Sequence, residues 1–495
     1  MFVILFLTVF LLYFFHEFYW KRRNLPPGPI PLPIFGNLLD INRPPPGYEA
    51  FERWKKQFGD VFTFWIGPTP YVVISSYDKI KDTFIREGDV YVDKKTIPMT
   101  ELFRGGEFGI IDSNGGLWRD HRRFALSTLR DFGFGKNLMQ EKILLEVEDL
   151  FKKFDKTEGT EVVVPDAFDN AIASVINQLL FGYRFDENRQ EEFRKLKKII
   201  DAPSEIFGKF YIFLVMNIPF LAKIIPKRFV LKLLEDFRDE SNGFFNKQIE
   251  EHRRRIDFAD TDSESSDYVE CYLREQRKRE MEGDKESFSN IQLTNVCLDL
   301  WFAGLGTTTN TTSWAISYVL NTPGIQEKLH EELDRVIGSD RLITTADKNN
   351  LPYMNAFINE TQRCANIVPL NLQHATTRDT IINGYHIPKG TGVMAQIANV
   401  MLDEKTFPEP NKFNPDRFIE NGKLRKVEEL VPFSVGKRQC LGEGLARMEL
   451  FLFISNFFNR YQIFASKDGP PSLDKLCGNL IAPRVFSGTV KRRHV

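Results

Sequence analysis

The residues best suited to chemistry lie together near the C-terminus, in Phe433-Ser-Val-Gly436-Lys-Arg438-Gln-Cys440-Leu-Gly442, just ahead of the helical pattern Gly444-Leu-Ala-Arg-Met-Glu-Leu-Phe-Leu-Phe. A cysteine in front of a helix N-terminus meets free backbone N–H groups and the positive end of the helix dipole, which favour thiolate over thiol. A thiolate so placed is a ligand for iron. Gly436 permits a tight turn, Gly442 lets a flat group lie close, Arg438 offers a donor fork to a carboxylate, and Phe433 can pack beside the sulfur. A lone cysteine before a helix is more often inert core. Five such specialised residues within one short loop outweigh that reading.

Three further constellations fit the same chemistry. Glu360 and Arg363 stand three apart on one face of a predicted helix, and Arg417 follows in Phe413-Asn-Pro-Asp-Arg417-Phe418. Alone, such a pair is usually a surface ion pair worth well under about 1 kcal/mol. Trp118 and Arg122, four apart in Leu117-Trp-Arg-Asp-His-Arg122, share one side of a helix, as an ordinary amphipathic helix would also arrange. Asp299, Ala303 and Thr307 recur every four residues, and Ala303-Gly304 strip that helix face of bulk. The β-branched run Thr307-Thr308-Thr309 is poor helix material and predicts a locally opened turn.

The loop pattern FxxGxRxCxG resembles the haem-binding loop of the cytochrome P-450 superfamily, and specifically its microsomal animal members. The similarity covers nearly the whole chain. It implies a mainly α fold with small β-sheets and haem b between two long helices. Cys440 would be the axial iron ligand, with Phe433, Gly436, Gly442 and Ala303 around the cofactor. Trp118, Arg122, His374 and Arg438 would approach the haem propionates, and Arg104 is a further candidate for that contact. Glu360, Arg363 and Arg417 would form the family's buried lock, costing about 3–5 kcal/mol to break. Thr307 matches the hydroxyl of the oxygen-binding groove.

One departure stands out. Gly306 occupies the position before Thr307 where the family carries Asp or Glu, so water or Asp299 must take over proton relay. The implied activity is insertion of one oxygen atom of O2 into an apolar substrate, whether fatty acid, steroid or xenobiotic. Electrons would come from NADPH through a separate flavoprotein reductase, with cytochrome b5 as a second partner. The basic residues Lys423, Arg425, Lys426, Lys437 and Arg447 either face that acidic partner or form a solvated surface. Two alternatives remain: a peroxide-dependent or lipid-rearranging enzyme, and a non-catalytic haem sensor or carrier. The pocket candidates Phe103, Phe108, Phe302, Leu370 and Leu480 argue against a sensor, although they equally suit a core.

The elements that must position these residues are mainly helical. The stretches EKILLEVEDLFKKF, DAFDNAIASVINQLLFGY and KRFVLKLLEDFRDE repeat apolar residues at helical spacing, and strand alternation is confined to Tyr71–Ser75 and to residues 381–400. No GxGxxG follows a strand and no GxxxxGK[ST] occurs, against a nucleotide fold. Residues 259–267 and the charged run 274–285 are the one candidate for an internal linker, and a solvated loop is the favoured reading of them. Phe207–Ile225, apolar but interrupted by Pro219, reads either as a core helix or as a segment that touches a membrane surface or covers a pocket.

Residues 1–20 read as a membrane anchor, because they are apolar, lack the small residues of a cleavage site, and precede Lys21-Arg22-Arg23. Residues 21–35 form a basic, proline-rich linker and 36–495 the catalytic domain, placed on the cytosolic face of the endoplasmic reticulum. The two sequons at Asn310 and Asn359 are then accidental. Five scattered cysteines without zinc-like spacing agree with a reducing compartment. With 66 Lys+Arg against 67 Asp+Glu, no field draws the chain to nucleic acid.

Overall fold

Helix dominates the described residues, which in this computed structural model are 2–41, 47–95, 100–132, 137–207, 209, 212, 215, 227–260, 265–476 and 480–493. The apolar N-terminal run forms α1 (Phe2–Phe18), closed by a 3-10 turn at Trp20–Arg22. It leaves Phe2, Ile4, Leu11 and Leu12 largely exposed. No helix among the described residues is long and apolar enough to cross a membrane.

The proline-rich segment is docked, where its composition predicted a spacer. The Thr63 N–H donates to the Pro27 carbonyl at 2.9 Å, and a Cβ on Gly28 would stand 1.9 Å from the Thr63 oxygen. Arg22 reaches the Gly28 carbonyl at 2.9 Å. Prolines lack donors but keep their carbonyls, so the segment accepts bonds from a sheet edge.

That edge is β1 (Val61–Ile66), paired antiparallel with β2 (Thr69–Ile74). The sheet continues through β3 (Asp93–Lys94), β4 (His374–Ala375) and β5 (Gly392–Ala395) in the spatial order β1-β2-β5-β4-β3. Strand β1 escaped the sequence pattern because all six of its residues are buried, which removes the alternation. Strands β3 and β4 are too short to leave a pattern, yet their register sets Lys94 opposite His374.

The helical mass comprises α2 (Gly115–Asp131), α3 (Val164–Phe181), α4 (Asn290–Asn321), α5 (Pro352–Ala365) and α6 (Glu443–Arg460), among others. Helix α4 buries small polar residues such as Thr308, Thr312 and Ser313 as well as apolar ones and is covered over most of its length; the Ser289 side chain caps its start. Glycine lets α3 approach it: a Cβ on Gly304 would lie 2.7 Å from Ile176 Cδ1. The charged run expected as linker is instead helix Tyr268–Met281, capped by Asp267 and carrying the i,i+4 pairs Glu270–Arg274 (2.9 Å) and Glu275–Arg279 (2.7 Å). Charge density alone does not separate a solvated helix face from a loop. Residues 261–264, most of 207–225 and Cys477 lie outside the described residues.

Candidate active site

The cysteine loop is held by its own backbone. The Cys440 N–H donates to the Phe433 carbonyl at 3.0 Å, and the Gln439 N–H to the Gly436 carbonyl at 3.1 Å. Gly436 has φ +81°, and a Cβ there would stand 2.2 Å from the Phe84 oxygen, so no other residue fits. The Arg447 guanidinium lies 4.8 Å over the Phe433 ring. Gly442 is the N-cap of α6, which places Cys440 just ahead of the helix.

Cys440 opens onto accessible space on one side, while protein on its other sides desolvates it. Desolvation raises the thiol above its ordinary value, against the Gly442 N–H and the charges of Arg122 and Arg447. A coordinated metal ion, being a larger and closer charge, deprotonates a thiol outright. Among the described residues no three His, Cys, Asp or Glu side chains converge on one metal position, so an iron at Cys440 needs its remaining ligands from a cofactor.

Beside the loop lies a cluster of cations. Arg438 stacks 3.9 Å over the Trp118 ring and donates to the carbonyls of Val92 (2.8 Å), Ile110 (3.2 Å) and Ser113 (2.7 Å). Arg122 donates to the Gln439 carbonyl at 2.7 Å. His374 is buried, with Nδ1 2.6 Å from the Tyr91 carbonyl and Nε2 3.2 Å from Lys94 Nζ. These bonds make Nδ1 the donor and Nε2 the acceptor of a neutral ring. Burial first, then Lys94, drives the His374 pKa well below its usual value. Lys94 itself is pulled down to about 7 by burial and by Arg438, and Arg438 to about 9, chiefly by burial.

Trp118, Arg122, His374 and Arg438 thus lie together beside the cysteine loop. Lys94 joins them and was missed, because Asp93-Lys94-Lys95 reads as solvated surface until strand pairing turns it inward.

The third wall is α4. Ala303 is exposed, and Phe302, Gly304, Gly306 and Thr307 are half-buried, in the middle of a helix whose flanking turns are buried. Accessible space therefore lies against that face. The expected opened turn is absent: α4 is unbroken, and the hydroxyls of Thr307, Thr311 and Thr312 donate to the carbonyls of Ala303 (2.7 Å), Thr307 (2.7 Å) and Thr308 (3.0 Å). Such back-bonding relieves the poor propensity of threonine.

Asp299 and Arg104 have other tasks than those expected. Asp299 Oδ1 pairs with Arg104 at 2.7 Å, and its Oδ2 accepts from the Ile110 (2.6 Å) and Ile111 (2.9 Å) amides. Arg104 also pairs with Asp112 at 2.7 Å. A Cβ on Gly109 would come within 2.2 Å of Asp299 Oδ2. Together they clamp the 104–112 loop onto α4, with Asp299 engaged by one guanidinium and two amides and Arg104 paired with two carboxylates. A buried carboxylate with one guanidinium and two amides is a structural tie.

The charge lock forms. Glu360 and Arg363 are both fully buried. Arg363 donates to Glu360 through Nε (2.7 Å) and Nη2 (2.9 Å), and Arg417 through Nε at 3.0 Å. The Asn414 N–H adds a further bond to the carboxylate at 2.9 Å, and Arg363 reaches the Met401 carbonyl at 3.0 Å. The lock pins α5 to the segment that leads into the cysteine loop.

A group that fits here must bring carboxylates to a cation cluster whose hydrogen bonds run to carbonyls and a histidine, satisfy the partnerless buried Trp118 Nε1, and offer a metal to Cys440. Haem does all three, which defines a haem-thiolate protein. The chain belongs to the cytochrome P450 family, whose family model matches residues 26–486. Its relatives include Cytochrome P450 2H1 of Gallus gallus, 36% identical over 452 residues (90% of this chain, 89% of the relative), and Cytochrome P450 2C8 of Homo sapiens, 34% identical over 451 residues (90% of each). Cytochrome P450 2E1 of Rattus norvegicus is 35% identical over 464 residues (92% and 91%). The protein is accordingly a cytochrome P450 monooxygenase that uses haem b and receives its electrons through a reductase.

Proposed function

We propose that Cys440 ligates the haem iron and that Trp118, Arg122, His374 and Arg438, together with Lys94, take its propionates, in an enzyme that oxygenates apolar molecules. The observation that carries this assignment is the cation cluster beside the cysteine loop, with Lys94 buried and Arg122 and Arg438 half-buried, which pairs with no carboxylate among the described residues. Haem bound there supplies O2 activation, with thiolate donation favouring O–O cleavage.

The chain's own residues do the rest. Ala303 and Gly304 keep the α4 face low. The Thr307 hydroxyl is positioned to hold a proton at that face. Phe103, Phe108, Phe302, Leu370 and Leu480 are all half-buried; they exclude water and orient a fatty acid, steroid or xenobiotic. A Cβ on Gly306 would lie 3.0 Å from Leu480 Cδ1, so this glycine keeps room beside the substrate wall where the family carries an acid.

The electron donor is an NADPH-dependent flavoprotein reductase, with cytochrome b5 as a second donor. Both meet the exposed cations Lys423, Arg425 and Lys426, next to the cysteine loop in sequence. Lys437 and Arg447 contribute less, because Asp89 and Glu443 already pair with them. With purified reductase, NADPH and a panel of the three substrate classes, product is expected only when all components are present, at a rate that falls as salt screens the contact. Turnover of peroxides without reductase would replace this reading with the peroxide-dependent one. Haem binding without product from any class would favour a sensor.

Helix α1 acts as the membrane anchor, since its exposed apolar side chains find no protein core and Lys21, Arg22 and Arg23 follow it. This places the body on the cytosolic face of the endoplasmic reticulum. Protease added to intact microsomes is expected to digest the body; a protected, glycosylated body would reverse the topology.

A further inference from the structure

We propose that Lys475 is a specificity-determining residue, which clasps a short strand pair so that Leu480 stands against Gly306 and narrows the α4 groove to slender apolar molecules. This role rests on the monooxygenase reading and deepens it by choosing among the substrate classes.

Strands β6 (Lys475–Leu476) and β7 (Ala482–Pro483) pair antiparallel, with Lys475 opposite Pro483 and Leu476 opposite Ala482. Two residues per strand do not hold such a pair in place by themselves, so ties to the helical mass decide where it lies. Beside β7, the Ile481 N–H donates to the Ile367 carbonyl at 2.8 Å, and Trp314 Nε1 on α4 donates to the Ile481 carbonyl at 3.4 Å. Strand β6 is tied by Lys475, whose ammonium donates to the Cys364 carbonyl at 2.7 Å and to the Tyr48 hydroxyl at 2.9 Å. The same ammonium stands 5.1 Å over the Tyr48 ring. The ion pair of Arg484 with Asp474, at 3.6 Å, is exposed and contributes little.

Both partners of Lys475 suit a cation. Cys364 lies in the last turn of α5, where carbonyls lack helical partners and the helix dipole favours positive charge. Tyr48 is buried at the N-cap of helix Glu49–Phe58. Lys475 thereby joins β6 to segments 111 and 427 residues away in the chain.

Leu480 stands between the two ties. It is half-buried, and a Cβ on Gly306 would lie 3.0 Å from its Cδ1, so Leu480 already fills the space that a side chain at 306 would need. Gly306 lies on α4 between Ala303 and Thr307, and a wall this close admits a single alkyl chain more readily than a fused ring system. Releasing β6 leaves Ile481 bonded but removes the second support of Leu480, which widens the groove. Lys475 is thus a positioning residue that acts through Leu480. The competing view is a tie that stabilises the fold and leaves selectivity alone.

The test titrates full-length, haem-loaded protein with dodecanoic acid and with testosterone, following the ligand-induced shift of the haem absorption band. Wild type is expected to bind the fatty acid several-fold more tightly than the steroid. Lys475→Met, which keeps the length and loses the donors, should reduce that ratio several-fold at wild-type haem content and carbon monoxide spectrum. Tyr48→Phe should move the ratio in the same direction by less, and Lys475→Arg should keep most of it. Leu480→Ala should reproduce the Lys475→Met ratio, and the double variant should match either single one, because the two residues act as a unit.

A lower urea midpoint in Lys475→Met with an unchanged ratio overturns the proposal, as does a double variant whose effects add or a wild type that prefers the steroid. If Lys475→Met does not fold, the ratios in Tyr48→Phe and Leu480→Ala decide. A wild type that holds haem yet binds and, with reductase and NADPH, oxidises neither probe overturns this role and the monooxygenase reading together. A wild type that oxidises its probes while the variants leave the ratio unmoved overturns this role alone.

Discussion

Replacing Cys440 with Ala is expected to abolish the far-red-shifted carbon monoxide spectrum of a thiolate haem, and NADPH-driven turnover with it. The loop should survive the change. Its shape comes from the Cys440 amide bonded to the Phe433 carbonyl and from Gly436 against Phe84, and neither contact uses the sulfur. Cys440 is exposed on one side, so losing its sulfur removes little packing and should cost well under about 1 kcal/mol of stability. The cation cluster also remains, so the variant is expected to bind some haem through its carboxylates while the spectral signature disappears. A variant that kept that signature would remove Cys440 as the ligand.

Arg363→Ala is expected to act in the opposite manner, on stability before chemistry. It deletes two bonds to a fully buried carboxylate and one to the Met401 carbonyl. Glu360 keeps Arg417, the Asn414 amide and a long bond from the Cys364 thiol. Breaking a buried pair from one side costs about 3–5 kcal/mol, against a total stability of about 5–15 kcal/mol for a folded protein. Purified variant should therefore unfold at lower urea and retain a small fraction of its haem. Arg363→Lys should fall between, because an ammonium keeps the charge but cannot bridge both carboxylate oxygens. Wild-type haem content and an unchanged urea midpoint in Arg363→Ala would show the lock to be superficial.

How much of this was legible in the chain follows from the range of each interaction. The Cys440 loop, the Glu360–Arg363 spacing and the Trp118–Arg122 pair are set by neighbours a few residues apart. Helical periodicity puts Glu360 with Arg363 and Trp118 with Arg122 on common faces, while the Cys440 loop is shaped by its own backbone bonds and by Gly436. Arg417 could be joined to Glu360 only through the family resemblance, since nothing local connects segments 57 residues apart.

What tertiary structure decided is which distant segments meet and what burial does to their charges. Lys94 becomes part of the cation cluster because a two-residue strand pairs it with His374, 280 residues away. Asp299 becomes a clamp because Arg104 and two amides reach it first. The Cys440 thiol is raised because desolvation outweighs the Gly442 amide and the charges of Arg122 and Arg447. Pattern and spacing are properties of the chain, and they determined the helices, the loop and its chemistry. Desolvation and charge pairing depend on the sum over all surrounding atoms, and only the folded packing supplies that sum.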